Sequence, residues 1–354
     1  MLIRKIKGRG AQINPQNRFE RIHIEELYDD SSFSEDGEIN KVKTIFYNDD
    51  SRSVISKNDS LDLYFNYSFN PYRGCEHGCI YCYARPTHEF LGFSSGLDFE
   101  TKIMIKKNAA GLLEKELRKK NYIPEVILFS GNTDCYQPVE KSLMITRKAL
   151  KVCLDYKNPV SIITKNYLVL RDLDIIKEMS RLNLVTVMIT ITSLNRELVH
   201  KMEPRSSLPE KRLNTIKTLA ENNIPVGVNI APVIPGLTDD EIPNILKESA
   251  NSGALFASYA LLRLPYSVKD LFIDWLLREF PDSSNKVLNR IKETRGGKLN
   301  ENEFGKRFTG EGILANTISN LFQLSCKKYG LNEERIKLSI EKFQSAGNRQ
   351  LEIF

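Results

Sequence analysis

No uncharged apolar run in this 354-residue chain approaches the ~18 residues that a membrane-crossing helix needs. The opening stretch MLIRKIKGRG lacks the apolar centre of a signal peptide. A cytoplasmic, reducing location with no membrane partner is therefore expected. Cysteine is scarce, six residues in all, too few to staple a chain of this length with disulfides. Repeats and low-complexity tracts are absent, which excludes solenoids and arrays. What remains is ordinary: 41% hydrophobic and 27% charged residues, enough apolar surface to bury a core and to exclude global disorder. Lys plus Arg exceed Asp plus Glu by 51 to 45, a net +6 that permits a nucleic-acid partner without requiring one.

The placement of the cysteines says more than their number. Cys75, Cys79 and Cys82 fall within eight residues, spaced C-x3-C-x2-C, whereas Cys135, Cys153 and Cys326 are scattered. In a reducing compartment clustered thiols bind metal more often than they form disulfides. One loop with this spacing can wrap three thiolates around one metal centre. Two centres suit it: a tetrahedral zinc completed by His77 or His88, or a [4Fe–4S] cluster, which usually takes four thiolates. With three, one iron stays open to a substrate or cofactor. No scattered cysteine has a spacing that marks it as a fourth ligand.

Residues 1 to about 60 are polar and poorly periodic, basic at Arg4, Lys5, Lys7 and Arg9 and acidic at Asp29, Asp30, Glu35, Asp36 and Glu38. They read as an extension, partly disordered or wrapped on another surface. From residue 62 a regular alternation begins. LDLYFNYSF (61–69), VILFS (126–130), VSIIT (160–164), LVTVMITI (184–191), IPVGVNI (224–230) and LFASYALL (255–262) read as strands buried on both faces. Between them AAGLLEKELRKK, KSLMITRKALKVCLDY, LRDLDIIKEMSRL, PEKRLNTIKTLAENN and TDDEIPNILKESANS carry apolar residues at helical spacing. This alternation predicts parallel βαβ units, in an open doubly wound sheet or a partial (β/α) barrel. Beyond residue 280 the chain reads as helical and polar, with a loop rich in Gly, Lys and Arg at 295–310. The unusual segments fall at the C-terminal ends of strands, where β/α barrels carry their sites. RGCEHGCIYC follows the first strand, SGNTD the second, TKN the third, TSLN the fourth, APVIPG the fifth and RLP the sixth.

The cysteine spacing, with the aromatic Tyr81 directly before the last cysteine, resembles the signature of radical S-adenosylmethionine (SAM) enzymes over about residues 62–280. YRGCEHGCIYCYARPTH, SGNTDCYQPVE, ITK, MEPR, VGVNIAPVIPGL and LLRLP look like the "DNA repair photolyase" group related to spore photoproduct lyase, as do ETRGGK, FGKRF and RGAQINPQNRFE outside the barrel. The expected fold is α/β, a partial (β/α)6 TIM-like barrel over 61–280, with an N-terminal extension (1–60) and a helical C-terminal segment (281–354). The resemblance implies that Cys75, Cys79 and Cys82 hold a [4Fe–4S] cluster and that SAM chelates the open iron. An electron from a flavodoxin or ferredoxin would cleave SAM to methionine and a 5′-deoxyadenosyl radical, which takes a hydrogen atom from the substrate. The expected substrate is a nucleic acid, either a damaged pyrimidine in DNA or a base in RNA. A protein or small metabolite is the alternative among enzymes; a metal-bound nucleic-acid-binding module without catalysis is the alternative outside them.

Further roles follow from the same resemblance, each with ordinary packing or strand-end hydrogen bonding as its alternative. Tyr81 borders adenine. Ser130, Gly131, Asn132 and Thr133 sit where the superfamily meets the SAM amino group. Lys165 pairs with the SAM carboxylate, and Thr190 and Ser193 hydrogen-bond the ribose. Glu203 and Arg205 in MEPR are either site residues or a structural salt bridge. His77 and His88 are either partners of the cluster loop or solvated loop histidines. Apart from the resemblance, Arg295, Lys298, Lys306 and Arg307 lie in a glycine-opened loop that is either accessible to a phosphate backbone or simply a solvated charged loop. Spore photoproduct lyases carry a hydrogen-donating cysteine at the position matching Gly131, whereas here the nearest thiol, Cys135, comes four residues later. At about 3.3 Å per extended residue that displaces it by up to ~13 Å. Hydrogen transfer needs about 3–3.5 Å. Cys135 is thus the candidate catalytic donor only through a tight turn, and a small buried apolar side chain otherwise.

Overall fold

The computed structural model describes residues 6–19 and 42–345, apart from 59, 61 and 64. The basic residues Arg4 and Lys5 and the acidic stretch from Asp29 to Glu38 lie outside the described residues. In chain order the strands are β1 (Ile45–Asn48), β2 (Ile55–Lys57), β3 (Tyr67–Phe69), β4 (Tyr72–Arg73) and β5 (Lys102–Ile105). There follow β6 (Ile127–Phe129), β7 (Val160–Thr164), β8 (Val185–Thr190), β9 (Val226–Val233) and β10 (Phe256–Leu261).

The main sheet runs β10-β9-β8-β7-β6-β3-β2. From β3 to β10 every neighbouring pair is parallel, and the strands appear in chain order. Sequential parallel strands joined by helices curl into a barrel wall. Among the described residues β10 pairs with β9 alone, so the wall is open: a partial (β/α)6 barrel, as expected. The short β2 adds an antiparallel edge beside β3.

Strand alternation sorts the side chains. One parity (Phe69, Phe129, Ile162, Val187, Val228) joins the principal hydrophobic core under helices such as Ile145–Asp155 and Leu173–Arg181. The opposite parity faces the barrel interior and mixes the apolar Leu128, Ile163 and Met188 with polar side chains. Ser161 accepts from Thr186 (3.1 Å), and the Ser258 hydroxyl donates to Asn229 (2.8 Å). The level of the interior that carries Thr190, Asn229 and Ser258 can meet polar ligand edges, unlike a barrel core filled by branched aliphatics.

Several boundaries differ from the sequence pattern. The first barrel strand is only Tyr67–Phe69, because Asn58 binds the backbone of Phe65 and Asn66 and folds the preceding residues into a loop. The helix expected over 141–156 breaks at Met144, which has φ 51°. There the buried Glu140 carboxylate accepts the amides of Ile145 and Thr146 and starts a new helix. A second sheet, β1-β5-β4, carried no sequence signal, since its strands have at most four residues. Residues 284–293 and 313–328 form the C-terminal helices. Among the described residues no helix is long and apolar enough to cross a membrane.

Candidate active site

The cysteine loop leaves β4 and crosses the C-terminal mouth of the barrel. The Cys75 amide donates to Phe99 (2.9 Å), and the Ile80 amide to Met202 (3.0 Å). Gly78 has φ +68°, and a Cβ there would lie 2.6 Å from the Glu100 carboxylate, so both conformation and space require glycine. Arg85, fully buried, donates to the carbonyls of Gly78 and Cys79 and pairs with Glu100. The same carboxylate accepts the amides of Gly10 (3.0 Å) and Ala11 (2.8 Å). Residues 6–19 are thereby strapped across the cysteine loop. A Cβ on Gly10 would meet the Gly78 carbonyl at 1.9 Å.

Cys75 and Cys79 are buried and Cys82 is half-buried, and burial is the first cause that raises each pKa. Cys79 and Cys82 raise Cys75 further, so the three sense one another. Lys165 acts against this at Cys79 and Cys82, and Arg85 acts against it at Cys82. A metal centre that takes thiolates would displace the protons. A tetrahedral zinc would draw its fourth ligand from His77 or His88. The histidines it invoked are engaged elsewhere. His77 lies against Asp134 (3.4 Å) and Asn166 (3.3 Å), and His88 Nε2 against the Lys102 carbonyl (2.9 Å). Both rings are buried, so neither is a solvated loop residue.

Tyr81 packs beneath the loop, its hydroxyl donating to Glu203. Burial would raise the Glu203 pKa, yet Arg212, Lys165 and the Tyr81 hydrogen bond hold it down at about 2. Arg212 pairs with Glu203 and also donates to the Thr190 carbonyl (2.9 Å). Arg205 pairs instead with Glu76 (3.0 Å). Lys165 has the inward strand parity, with Nζ 3.5 Å from the Ala231 carbonyl and 5.9 Å from the Tyr81 ring centroid.

The turn after β6 is tightly knit. Ser130 accepts the Cys135 amide (2.8 Å), Gly131 accepts the Tyr83 hydroxyl (2.8 Å), and Thr133 donates to the Tyr72 carbonyl (2.9 Å). The Asn132 amide N–H donates to Asn70 (2.8 Å); its side chain has no hydrogen-bond partner among the described residues. The tight turn required for Cys135 is present, but it delivers the side chain to the principal core, fully buried. Thr190 is buried, and the Ser193 hydroxyl donates to Glu241 (2.6 Å) while accepting the Asn195 amide (2.9 Å).

The expected phosphate surface is corrected. Arg295 is 1% exposed and donates to the carbonyls of Leu261, Leu262 and Lys306. Arg307 pairs with Asp62, and Lys306 with Glu303 and Glu311. A guanidinium with its donors closed on backbone is a strut between loops. The sequence pattern missed Arg85, Glu100, Asp134 and Arg212. Asp134 joins strand ends by accepting the Thr164 hydroxyl (2.8 Å) and the Lys165 amide (2.9 Å). Of these, Arg85 and Asp134 lay in the quoted motifs YCYARPTH and SGNTD; Glu100 and Arg212 had no local signal.

An open six-stranded parallel barrel with a three-cysteine loop at its mouth defines a class of cluster-bearing β/α enzymes. The chain belongs to the radical SAM superfamily, whose model matches residues 69–248. An uncharacterized protein of Mycobacterium tuberculosis is 35% identical over 233 residues, covering 65% of this chain and 67% of its own. One from Methanocaldococcus jannaschii is 33% identical over 225 residues, covering 63% and 80%. A spore photoproduct lyase complexed with dinucleoside spore photoproduct has the same fold, with TM-score 0.59 and 16% identity, over 81% of this chain and 80% of its own. The chain is thus a radical SAM enzyme whose cofactors are a [4Fe–4S] cluster and SAM, with an electron donor required.

Proposed function

We propose that this enzyme acts on a nucleic acid, with Cys75, Cys79 and Cys82 as the protein ligands of the cluster. The observation that carries the reading is the convergence at one barrel mouth of the three-cysteine loop, the Lys165 cation and the polar groups of Thr190, Asn229 and Ser258. The donor set fits the cluster, since three thiols on one loop leave one iron open. When bound, the cluster and SAM supply reductive SAM cleavage and removal of a substrate hydrogen atom.

The chain's own residues bind, orient and exclude water. Lys165 holds the SAM carboxylate by a charge-assisted hydrogen bond. Asn132 offers its amide to the SAM amino group beside Ser130, Gly131 and Thr133. Tyr81, fixed by Glu203 and Arg212, forms a rigid wall for the adenine, and Thr190 and Ser193 shape the ribose side. The arm over residues 6–19 keeps water from the cluster loop. The hydroxyls of Thr190 and Ser258 and the Asn229 amide suit the hydrogen-bonding edges of a base. Spore photoproduct lyase, the fold neighbour, was crystallised with a dinucleoside, and we carry that substrate class over as part of the proposal. The reaction is a lyase-type repair of DNA or a base modification in RNA, with a flavodoxin or ferredoxin as donor.

The test uses anaerobic, cluster-loaded protein with SAM and dithionite. UV-irradiated DNA or cellular RNA should accelerate 5′-deoxyadenosine release and leave nucleosides of altered mass. Acceleration by peptides or metabolites alone would contradict the nucleic-acid reading.

A further inference from the structure

Resting on the nucleic-acid reading above, we propose that Arg263 and Tyr83 form a one-phosphate anchor at the barrel mouth: Arg263 takes a phosphodiester oxyanion of the target strand, and the Tyr83 ring carries an adjoining base. Arg263 belongs to the RLP segment at the end of β10, which none of the roles above uses. Three guanidiniums gather there: Arg307 acts on Arg263, and Arg263 on Arg295. Arg295 is closed on backbone carbonyls, and Arg307 is balanced by Asp62. Arg263 differs from both. It is half-buried, lies 5.4 Å from the centroid of the Tyr83 ring, and has no ion pair or hydrogen bond among the described residues. Burial disfavours its charge, and of its charged neighbours Tyr83 and Asp62 favour it while Arg307 repels it. A guanidinium keeps its proton under such pressure, so an arriving anion is the complement that relieves it.

Tyr83 ties this cation to the reaction site. It directly follows Cys82, and its hydroxyl is fixed on the Gly131 carbonyl at 2.8 Å. Its ring is nevertheless 48% exposed. An anchored, exposed ring beside an unpaired guanidinium is the pairing by which proteins hold single-stranded nucleic acid, the base on the aromatic face and the phosphate on the cation. Two further exposed aromatic rings belong to the same end of the barrel. Tyr266 follows Arg263 by three residues and carries Arg18 at 3.8 Å; Phe304 carries Arg307 at 5.1 Å. Because Glu89 and Asp62 already pair with those two arginines, the uncompensated charge of this band sits at Arg263. A small acidic metabolite would use the cation but not the band of rings.

The experiment measures binding of a fluorescein-labelled single-stranded thymidine decamer to anaerobic, cluster-loaded protein with SAM, by anisotropy across a salt series. Arg263→Gln should weaken binding about tenfold or more at fixed salt. It should also reduce the magnitude of the log K against log salt slope by about 0.7. Arg307→Gln, whose charge Asp62 balances, should leave the slope unchanged. Decamers with a single uncharged methylphosphonate linkage add a second arm. At one linkage the neutral probe should bind wild type as weakly as the natural probe binds Arg263→Gln, with no further loss in the variant. Equal affinity and slope for wild type and Arg263→Gln would overturn the anchor while leaving the nucleic-acid reading intact. Salt-independent or absent binding of the decamer by wild type would overturn that reading and the anchor with it.

Discussion

Glu100→Gln tests how the arm and the cysteine loop are held together. The Glu100 carboxylate is fully buried and receives three donors: Oε1 accepts Ala11 N–H and the Arg85 guanidinium, and Oε2 accepts Gly10 N–H. Glutamine supplies one acceptor oxygen. Its NH2 group, placed at Oε2, meets Gly10 N–H donor to donor; flipped, it meets Ala11 and Arg85. Either way Arg85 is left fully buried without its counter-charge. Breaking one side of a buried ion pair costs about 3–5 kcal/mol, so the unfolding free energy should fall by that much. Arg85 also donates to the carbonyls of Gly78 and Cys79, and its displacement should loosen the cysteine loop. Urea unfolding followed by circular dichroism reads the first effect. Hydrogen exchange at the Gly10 and Ala11 amides and iron content after anaerobic reconstitution read the second, with faster exchange and less retained iron expected. An unfolding free energy within ~0.5 kcal/mol of wild type, with both amides still protected, would show that Glu100 does not hold the arm to the loop.

Three further outcomes are expected. Burial lowers the His88 pKa from 6.5 to about 4; stability should be full above pH 6.5 and fall by about 3 kcal/mol as pH drops towards 4. His88→Gln should flatten that window, and an unchanged acid slope would exclude His88 as its source. Lys165→Ala should weaken SAM binding by about 1.5–3 kcal/mol in calorimetry, whereas unchanged affinity would return Lys165 to a solvent-facing role. Cys135→Ala should keep both cluster and SAM cleavage, because the thiol sits in the hydrophobic core; rapid repair of spore photoproduct DNA by wild type, lost in this variant, would instead make Cys135 a hydrogen donor.

The barrel was legible because its strands are short β-branched runs and its helices keep a 3.6-residue period, both local properties of the chain. The cysteine loop was legible for a similar reason, since all its thiols lie on one segment. What could not be read depends on tertiary encounters. Arg295 and Arg263 look alike in sequence, yet one is sealed against three carbonyls and the other, among the described residues, has no ion pair at the mouth. His77 looked like a loop residue until Asp134 and Asn166 enclosed it from two other strand ends. Arg9, Gly10 and Ala11 sat in a polar, aperiodic arm, and only the fold brings them to Glu100. The break at Met144 was hidden because Glu140, as a helix start, looks no different from a surface glutamate within a continuous helix.

One experiment decides whether the three-cysteine loop carries the cluster on which SAM is cleaved. Wild type and the Cys75→Ala, Cys79→Ala and Cys82→Ala variants are reconstituted without air, assayed for iron, and given SAM with dithionite. Wild type should hold about four irons per chain and release 5′-deoxyadenosine, and each variant should lose both. Stoichiometric zinc without iron in protein purified anaerobically, or a variant that keeps its iron and its SAM cleavage, would contradict the account.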